Sequence, residues 1–363
     1  MEIGIIGLPN SGKTTVFNAV TKGSATVATH GTRANIGVAR VPDQRLTMLA
    51  QMFNPKKVVP AEVTYTDVPA PPDGFGQTRG IGGEYLNVLQ ACDALLLVIR
   101  SFANPAVPHI EETIDGIRDL ENMLLEINFA DLEILERRLT RLSSNVKGAK
   151  PAEKENLKSE AKMLETIKSG LEEGLALRTQ SLTESEKKQL SGFGFLSSKP
   201  LIIVMNIGEE DLALIDAKQS ELATGSCGPN LKTIVICAQL EMELGQMPPE
   251  AELEFRKDFG TIESSLDKMI NVSYDVTDQI SFFTVGEDEV RAWQVLRNTG
   301  AQKSAGRIHS DLERGFIRAE VVSCNDLLDA GGLIGARKLG LLRQEGKEYV
   351  VKDGDIMHVL FNL

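Results

Sequence analysis

Residues 7–14, close to the N-terminus, read Gly-Leu-Pro-Asn-Ser-Gly-Lys-Thr and fit the pattern GxxxxGK[ST]. An apolar run from Ile3 to Ile6 precedes this loop, and an amphipathic stretch from Thr15 to Val20 follows it. A glycine-rich loop between a strand and a helix turns successive backbone N–H groups toward a phosphate. The pattern therefore predicts a phosphate-binding α/β domain. The alternative is a glycine turn that only joins a strand to a helix.

The polar residues of this loop have expected roles. Lys13 places a positive charge on the β and γ phosphate oxygens, and the Thr14 hydroxyl can hold Mg²⁺. Asp67 ends the apolar run that starts at Val63 and is predicted to act on Mg²⁺ through a water molecule, the alternative being a strand-end cap. Lys13 and Asp67 are thus the expected catalytic residues. Nucleotide contacts are expected from Asn10, Ser11, Gly12, Lys13, Thr14 and Thr15.

Short apolar runs alternate with helix-length segments over much of the chain, which is the rhythm of βα units in a mostly parallel sheet. These runs are Ile3 to Ile6, Val63 to Val68, Ala94 to Ile99, Leu201 to Met205 and Ile234 to Cys237. The rhythm stops between residues 128 and 195, where apolar residues recur at helical spacing on both sides of a Gly/Pro turn at 148–151. This pattern predicts an antiparallel helical hairpin. The hairpin is either a solvated coiled-coil spacer or a surface that docks a partner.

From about Asp278 the pattern indicates a small mixed α/β module. Its predicted strands are 280–285, 290–295, 316–322 and 349–351, with turns at 286–287 and 353–355. The sequence thus predicts three domains. They are a P-loop domain over 1–127 and 196–277, a helical insertion over 128–195 and a C-terminal module over 278–363.

Composition limits the partners. The 363 residues carry 39 Lys and Arg against 51 Asp and Glu, a net charge of −12, which argues against a surface uniformly adapted to phosphate backbones and against a DNA partner. A local basic patch stays open as an alternative. No apolar run approaches the roughly 18 residues that span a bilayer, and residues 1–20 lack a signal-peptide pattern. A cytoplasmic protein without a membrane partner is therefore expected. The 4 cysteines form no CxxC motif and the 4 histidines share no ligand spacing, so neither disulfides nor a zinc site is indicated.

The residues after the apolar run 201–205 bear on base selection. Guanine-selective domains place Asn-Lys-x-Asp here, and the aspartate accepts hydrogen bonds from guanine N1–H and N2–H₂. This chain has Asn-Ile-Gly-Glu at 206–209, so the lysine is absent and the carboxylate of Glu209 is one methylene longer. We expect guanine selectivity to be lost while Asn206 still meets N7 and the exocyclic group of a purine. Alternatively, Glu209 belongs to a solvated helix start. Further contacts are expected from Ile207 and, through its backbone, Ala238.

With these motifs in place, the whole chain resembles the YchF, or Obg-like, ATPase family. The matching stretches are residues 7–14, 41–46, 55–61, 206–209, 237–241, 281–293, 306–311, 315–321 and 353–358. The resemblance implies a translation-factor-class G-domain, a helical insertion and a C-terminal ubiquitin-like (β-grasp) TGS domain. It also implies slow, Mg²⁺-dependent hydrolysis of ATP in preference to GTP, and association with the ribosome, including its large subunit. In related proteins the asparagine at Asn10 binds an activating K⁺, and the alternative here is a loop-stabilising amide.

Two loops depart from the family pattern. The family's switch II reads Asp-Ile-Ala-Gly-Leu, whereas residues 67–72 read Asp-Val-Pro-Ala-Pro-Pro, which places Ala70 between prolines where a glycine amide would meet the γ-phosphate. Switch I is shorter, so that Gly31 stands in place of the Mg²⁺-linked threonine with Thr32 beside it as a substitute ligand. His30 is interpreted as an exposed loop residue, with a catalytic aid as the alternative.

The departures predict normal MgATP binding with hydrolysis that is slow or barely detectable. Two rival hypotheses remain: a ribosome-associated scaffold with little or no hydrolysis, and a GTPase, which residues 206–209 disfavour.

The C-terminal module carries a basic cluster with few acidic neighbours. Its members are Lys303, Arg307, Arg314 and Arg318. The cluster is either an RNA-facing patch or a solvated loop, and the family's ribosome association favours the patch. For His309 and Asp311, an internal hydrogen bond is the preferred interpretation.

Overall fold

A computed structural model describes residues 1–23, 26–27, 34–68, 81–225, 228, 230–258 and 264–362. In chain order the strands are β1 (Glu2–Ile6), β2 (Thr26–Val27), β3 (Asn35–Arg40), β4 (Lys57–Val59), β5 (Glu62–Asp67), β6 (Ala94–Ser101), β7 (Leu201–Ile207), β8 (Leu231–Ile236), β9 (Gln279–Thr284), β10 (Glu289–Leu296), β11 (Phe316–Ser323), β12 (Arg343–Glu345) and β13 (Asp355–Phe361). The α-helices are α1 (Lys13–Thr21), α2 (Gln44–Phe53), α3 (Gly83–Ala91), α4 (Gly116–Gly148), α5 (Pro151–Glu172), α6 (Glu184–Leu190), α7 (Ile215–Gly225), α8 (Ala238–Leu244), α9 (Pro249–Asp258), α10 (Ser265–Val276), α11 (Ala301–Ile308), α12 (Ser310–Arg314), α13 (Cys324–Asp329) and α14 (Leu333–Lys338).

The first of two compact units comprises Met1–Val38 and Thr64–Leu266 and contains a seven-stranded sheet. Its strand order is β2-β3-β5-β1-β6-β7-β8, and β1 pairs parallel with both β5 and β6, as do β6 with β7 and β7 with β8. The five apolar runs identified in the sequence are β1, β5, β6, β7 and β8, so these predictions are confirmed. Parallel pairing brings the carboxyl ends of β1, β5 and β7 to one edge of the sheet, where such sheets bind ligands.

The predicted helical hairpin consists of α4 and α5. Helix α4 begins at Gly116, upstream of the expected start, with the Asp115 carboxylate capping the N–H groups of Ile117 and Arg118. The first turns of α4 pack on the sheet core through Leu120, Met123 and Ile127. Its later turns pack against α5 and the returning chain, in a cluster that includes Leu135, Leu142, Leu164, Ile167 and Leu171. Helix α4 is therefore shared, since its first turns pack on the sheet and its later turns belong to the hairpin.

The second compact unit comprises Ala39–Val63 and Asp267–Leu363 and contains a six-stranded sheet of order β12-β11-β13-β9-β10-β4. The β9–β10 hairpin, α11, and the strands β11, β12 and β13 form a β-grasp, with β13 parallel to β9 in the middle of the sheet. Ala301 and Ala305 of α11 lie fully buried against Phe282, Val321 and their neighbours. The ubiquitin-like fold expected for this region is thus present.

The chain leaves the first sheet between β3 and β5, and residues 39–63 are assigned to the second unit. Strand β4 pairs parallel with β10, in the register Glu289↔Lys57, and extends the β-grasp at its edge. Arg45 at the start of α2 forms ion pairs with Asp43 and Asp353, each at 2.8 Å. The second unit is therefore built from two separate stretches of chain, whereas the predicted division assigns residues 39–63 to the P-loop domain. The predicted division into three domains stays a prediction.

The strand predicted at residues 349–351 is wrong. Val350 makes only an isolated bridge with Gly300, and the last strand is β13, after the turn at 353–355. The Asp355 carboxylate accepts the Lys352 N–H and the Tyr349 hydroxyl, so side-chain hydrogen bonds hold this region as a turn rather than a ladder. None of the described helices combines the length and apolar character needed to cross a bilayer.

Candidate nucleotide-binding site

The loop between β1 and α1 has the backbone of a phosphate cradle. Gly7, Asn10 and Gly12 all have positive φ, at +150°, +63° and +93°. A Cβ on Gly7 would meet the Val98 carbonyl oxygen, and one on Gly12 would collide with the Asn206 side-chain amide. These two glycines are needed for close approach as well as for backbone conformation. The positive φ values curl the loop back to the N-terminus of α1, where a phosphate is favoured.

Lys13 is the first residue of α1 and is only 8% exposed. Its Nζ donates to the carbonyl oxygens of Gly7 at 2.9 Å and Leu8 at 2.7 Å, so the ammonium is held at the loop's own backbone. Burial lowers the Lys13 pKa to about 8, although the Asp67 charge opposes this shift. The cationic form is therefore costly in the free protein, and a polyphosphate would stabilise it.

This lowered pKa makes nucleotide binding sensitive to pH. Bound phosphates raise the Lys13 pKa, so above pH 8 or so the free protein must take up a proton in order to bind. We expect the Kd for MgATP to be constant below this value and to rise about tenfold per pH unit above it. Calorimetry at about pH 7 and about pH 9.5 in buffers of different ionisation enthalpy would count the protons.

A Lys13→Arg variant is the control for this prediction, because its guanidinium stays charged across the range and its Kd should not follow pH. Equal affinities of the wild type at both pH values would contradict the assignment.

Thr14 and Asp67 meet across the site. The Thr14 hydroxyl donates to Asp67 Oδ2 at 3.0 Å, and Asp67, at the end of β5, is 2% exposed. The other carboxylate oxygen, Asp67 Oδ1, has no hydrogen-bond partner among the described residues, and neither has the Ser11 hydroxyl. A hydroxyl beside a buried carboxylate with a spare oxygen suits Mg²⁺. The described residues contain no cluster of three or more His, Cys, Asp or Glu side chains able to hold a metal, so further ligands would come from phosphate and water.

Asn206, at the end of β7, joins two loops. Its Nδ2 donates to the Ser11 carbonyl oxygen at 3.2 Å, and its Oδ1 accepts the Ala238 N–H at 3.1 Å. The Ala238 amide, which is expected at a base, is hydrogen-bonded to Asn206 in this structure. One hydrogen of Nδ2 remains for an acceptor such as purine N7. The assignments of Asn206 and Ala238 to base binding stay predictions, with Ala238 acting on the position of Asn206.

A pocket of about 500 Å³ opens next to the phosphate loop. Six of the expected nucleotide-contacting residues line it: Asn10, Gly12, Thr15, Asn206, Ile207 and Glu209. Glu209 is exposed and starts a short 3₁₀ turn, which also agrees with the alternative of a solvated helix start. Ile207 is 2% exposed and packs into the sheet core. The structure therefore brings the predicted base-side residues and the phosphate loop to one cavity.

The segment after β6 forms a wall of this pocket that sequence reasoning missed. Phe102, Asn104 and Val107 line the pocket. Arg100, 2% exposed, fixes this wall by donating to the carbonyl oxygens of Phe102 at 3.1 Å and Val107 at 2.8 Å. Its guanidinium also lies 4.6 Å from the centre of the Phe102 ring. The available signal was an arginine at the end of an otherwise apolar buried strand.

Several predicted residues lie outside the described residues. They are His30, Gly31 and Thr32 of switch I and the proline-rich stretch 69–72 of switch II. Their roles stay predictions from sequence.

Comparisons with known proteins cover both units. The family model described as 50S ribosome-binding GTPase matches residues 2–131, and that of the YchF GTPase C-terminal family, described as a protein of unknown function, matches residues 279–362. The chain is 38% identical to "Ribosome-binding ATPase YchF" of Bacillus subtilis (strain 168), covering 100% of each chain. It is 34% identical to "Obg-like ATPase 1" of Oryza sativa subsp. japonica, covering 100% of this chain and 92% of that one. The solved structure titled "Structure of the Schizosaccharomyces pombe YchF GTPase" matches with a TM-score of 0.86 at 31% identity, covering 99% of this chain and 97% of the other.

Proposed function

Since the chain belongs to the YchF, or Obg-like, ATPase family, we propose that it binds and slowly hydrolyses MgATP and associates with the ribosome in a nucleotide-dependent way. The chain is a P-loop NTPase, a class that generally works with Mg²⁺. The observation that carries the proposal is the hydrogen bond from Thr14 of the phosphate loop to Asp67 at the end of β5, with the buried Lys13 next in sequence and the pocket of about 500 Å³ beside the loop. A ribosomal partner places its work in the cytoplasm.

In this proposal each residue has one task. The loop N–H groups and the Lys13 ammonium bind the β and γ phosphate oxygens, where negative charge shifts during cleavage. The Thr14 hydroxyl and, through water, Asp67 would hold Mg²⁺, which when bound neutralises the same oxygens. Asn10 is exposed at the pocket and is the residue we assign to K⁺. No polar side chain at 69–72 is available to orient the attacking water, which supports a slow rate.

Steady-state phosphate release with MgATP and with MgGTP tests this function. Release above that of a Lys13→Ala blank supports the enzyme, and none above it supports the scaffold.

The base preference needs its own measurement, because the names of the relatives contain both ATPase and GTPase. We expect ATP to bind at least as tightly as GTP, since Glu209 stands where guanine-selective sites have an aspartate. A site with a matched acceptor for a buried donor pair discriminates by several kcal/mol, so its loss should be visible in binding alone. Calorimetric titration measures both affinities.

A Glu209→Asp variant should shift the preference toward GTP, and Glu210→Asp, at the next and equally exposed position, is the matched control. Ile207 is kept, because a lysine there would enter the sheet core. A wild type that binds GTP about a hundredfold more tightly than ATP would contradict the proposal.

Ribosome association is assigned to the basic side of the C-terminal module together with the helical hairpin. Lys303 and Arg307 lie one turn apart on α11, are exposed and make no ion pair with a described residue. Arg314, by contrast, pairs with Asp311, and His309 caps the Asp311 N–H, so the internal bond expected for His309 and Asp311 is confirmed. Arg318 is exposed on β11.

Reversing Lys303 and Arg307 to glutamate should weaken co-sedimentation with ribosomes by about tenfold and flatten its salt dependence. Lys347→Glu with Lys352→Glu, an equal charge change at exposed positions of the same unit, should leave both unchanged. Equal losses in the two double variants would contradict a specific basic patch. Point variants are needed because deletion of residues 278–363 would also remove the partners of α2 and β4.

A further inference from the structure

The central strand of the β-grasp is paired along only part of one side. On one side β11 follows β13 from Asp355 to Phe361. On the other side β9 meets β13 at Ile356↔Phe283 and ends at Thr284. Among the described residues, no strand flanks positions 358–361 of β13 on the β9 side. Such a half-edge offers backbone donors and acceptors in the spacing of a strand.

A groove of about 740 Å³ runs beside this half-edge. One wall comes from β13, through residues 356–359 and Phe361, and the other from α14, through Leu333 and Ile334. Three of these apolar side chains are exposed, Leu333 at 38%, Ile334 at 76% and Phe361 at 47%, whereas Ile356 and Met357 form the buried floor of the groove. A contiguous accessible apolar surface beside an unpaired strand edge is typical of a peptide-binding surface.

The charged residues that line the groove indicate the charge of the peptide that would bind there. Its lining includes two cations, Arg337 and Lys338, against one carboxylate, Glu320. Arg337 already lies 3.3 Å from Glu320, while Lys338 makes no ion pair with a described residue. The groove is therefore locally positive in a chain whose net charge is −12. This favours an acidic partner, and the apolar walls favour alternating apolar side chains over a nucleic acid.

We propose that an extended, acidic segment of another protein adds as a strand along residues 358–361 of β13. Its backbone would bond the open edge, its apolar side chains would enter between α14 and β13, and its carboxylates would face Lys338 and Arg337. Backbone hydrogen bonds supply affinity in this mode, and the alternating side chains supply specificity. The groove is lined by residues of the second unit, and Lys303 and Arg307 of α11 are not among them.

The full-length chain and a fluorescent synthetic peptide, acetyl-EVEIEVE-amide, test the proposal by anisotropy and amide hydrogen exchange. We expect saturable binding, protection of amides within residues 357–361, and affinity at least about tenfold above that of acetyl-KVKIKVK-amide. A peptide with proline in place of its central isoleucine should bind much more weakly, because it lacks the central N–H.

Variants of the protein test the groove itself. Arg337→Glu with Lys338→Glu should weaken binding of the acidic peptide by about tenfold, and Ile334→Ser should weaken it through lost apolar contact. Lys347→Glu with Lys352→Glu, the same charge change at exposed positions that do not line the groove, should bind as the wild type does.

Three results would overturn the proposal. The first is no saturable binding of the acidic peptide up to about a millimolar. The second is an equal loss of peptide affinity in the double variant of Arg337 and Lys338 and in its charge-reversed control. The third is a wild-type dimer in sedimentation analysis that Ile334→Ser converts to a monomer, which would assign the groove to a second copy of the chain. Because Ile334 and both cations are exposed, all these variants should keep the wild-type melting temperature.

Discussion

Replacing Lys13 by alanine should lower ATP turnover by about 10² to 10³-fold, because a preorganised charge next to the transferred phosphate is lost. Lys13 is 8% exposed and its ammonium is held 2.9 Å and 2.7 Å from two loop carbonyl oxygens, so neither water nor another side chain can readily replace it. The fold should survive, since burial already disfavours the charged form of Lys13 in the free protein. Phosphate release and a thermal melt measure the two effects.

Lys158→Ala is the control for this prediction, because Lys158 is an exposed lysine on the hairpin helix α5. It should release phosphate at the wild-type rate. A Lys13→Ala protein that keeps more than about a tenth of the activity would show that the charge is not central to turnover.

Replacing Gly12 by alanine should weaken nucleotide binding by about a hundredfold, through position rather than charge. The added Cβ would collide with the Asn206 amide and displace it from Ser11 and Ala238. The phosphate loop and the residues predicted to contact the base would then no longer be held in their present relative positions. The φ of +93° adds strain of about 1–2 kcal/mol for any L side chain.

Gly174→Ala separates these two causes. Gly174 has a φ of +85° and nothing within 4 Å of an added Cβ, so its variant should show the strain without the collision. Both proteins should therefore lose stability in urea titrations, but only Gly12→Ala should lose MgATP affinity. If the two variants bound MgATP equally, Asn206 would not be the link between the loops.

Much of the site could be predicted because its residues act locally. The phosphate loop is contiguous in sequence. Its glycines are required by the positive φ angles of the loop itself and do not depend on distant residues. Asp67 could be placed because a parallel strand brings its carboxyl end to the edge where the loop lies, and its hydrogen bond with Thr14 agrees with that. The buried strands β6 and β7 were readable because both faces are covered, which makes the sequence continuously apolar.

The features that sequence reasoning missed depend on contacts between distant positions. Arg100 looks like the end of a strand, and only the folded chain shows that it holds the Phe102 and Val107 carbonyl groups in the pocket wall. Only the folded chain shows that Asn206 accepts the Ala238 N–H, while the contact of Ala238 with a base stays a prediction. Val350 carries the β-branched signal of a strand, yet the Asp355 carboxylate organises a turn around it.

The two-stretch construction of the second unit has a consequence for how the chain is made. The ion-pair partner of Arg45, Asp353, is synthesised 308 positions later, and that of Lys56, Asp288, is synthesised 232 positions later. At translation rates of about 5 to 20 residues per second, the first of these intervals lasts between about 15 and 60 seconds. During that time α2 and β4 have been synthesised but lack the strand and the loop that complete them. The edge of β4 stays unpaired until β10 is made, and Arg45 stays without Asp353 until almost the end of synthesis. This early segment should therefore be open to nascent-chain chaperones for most of synthesis and become protected only late.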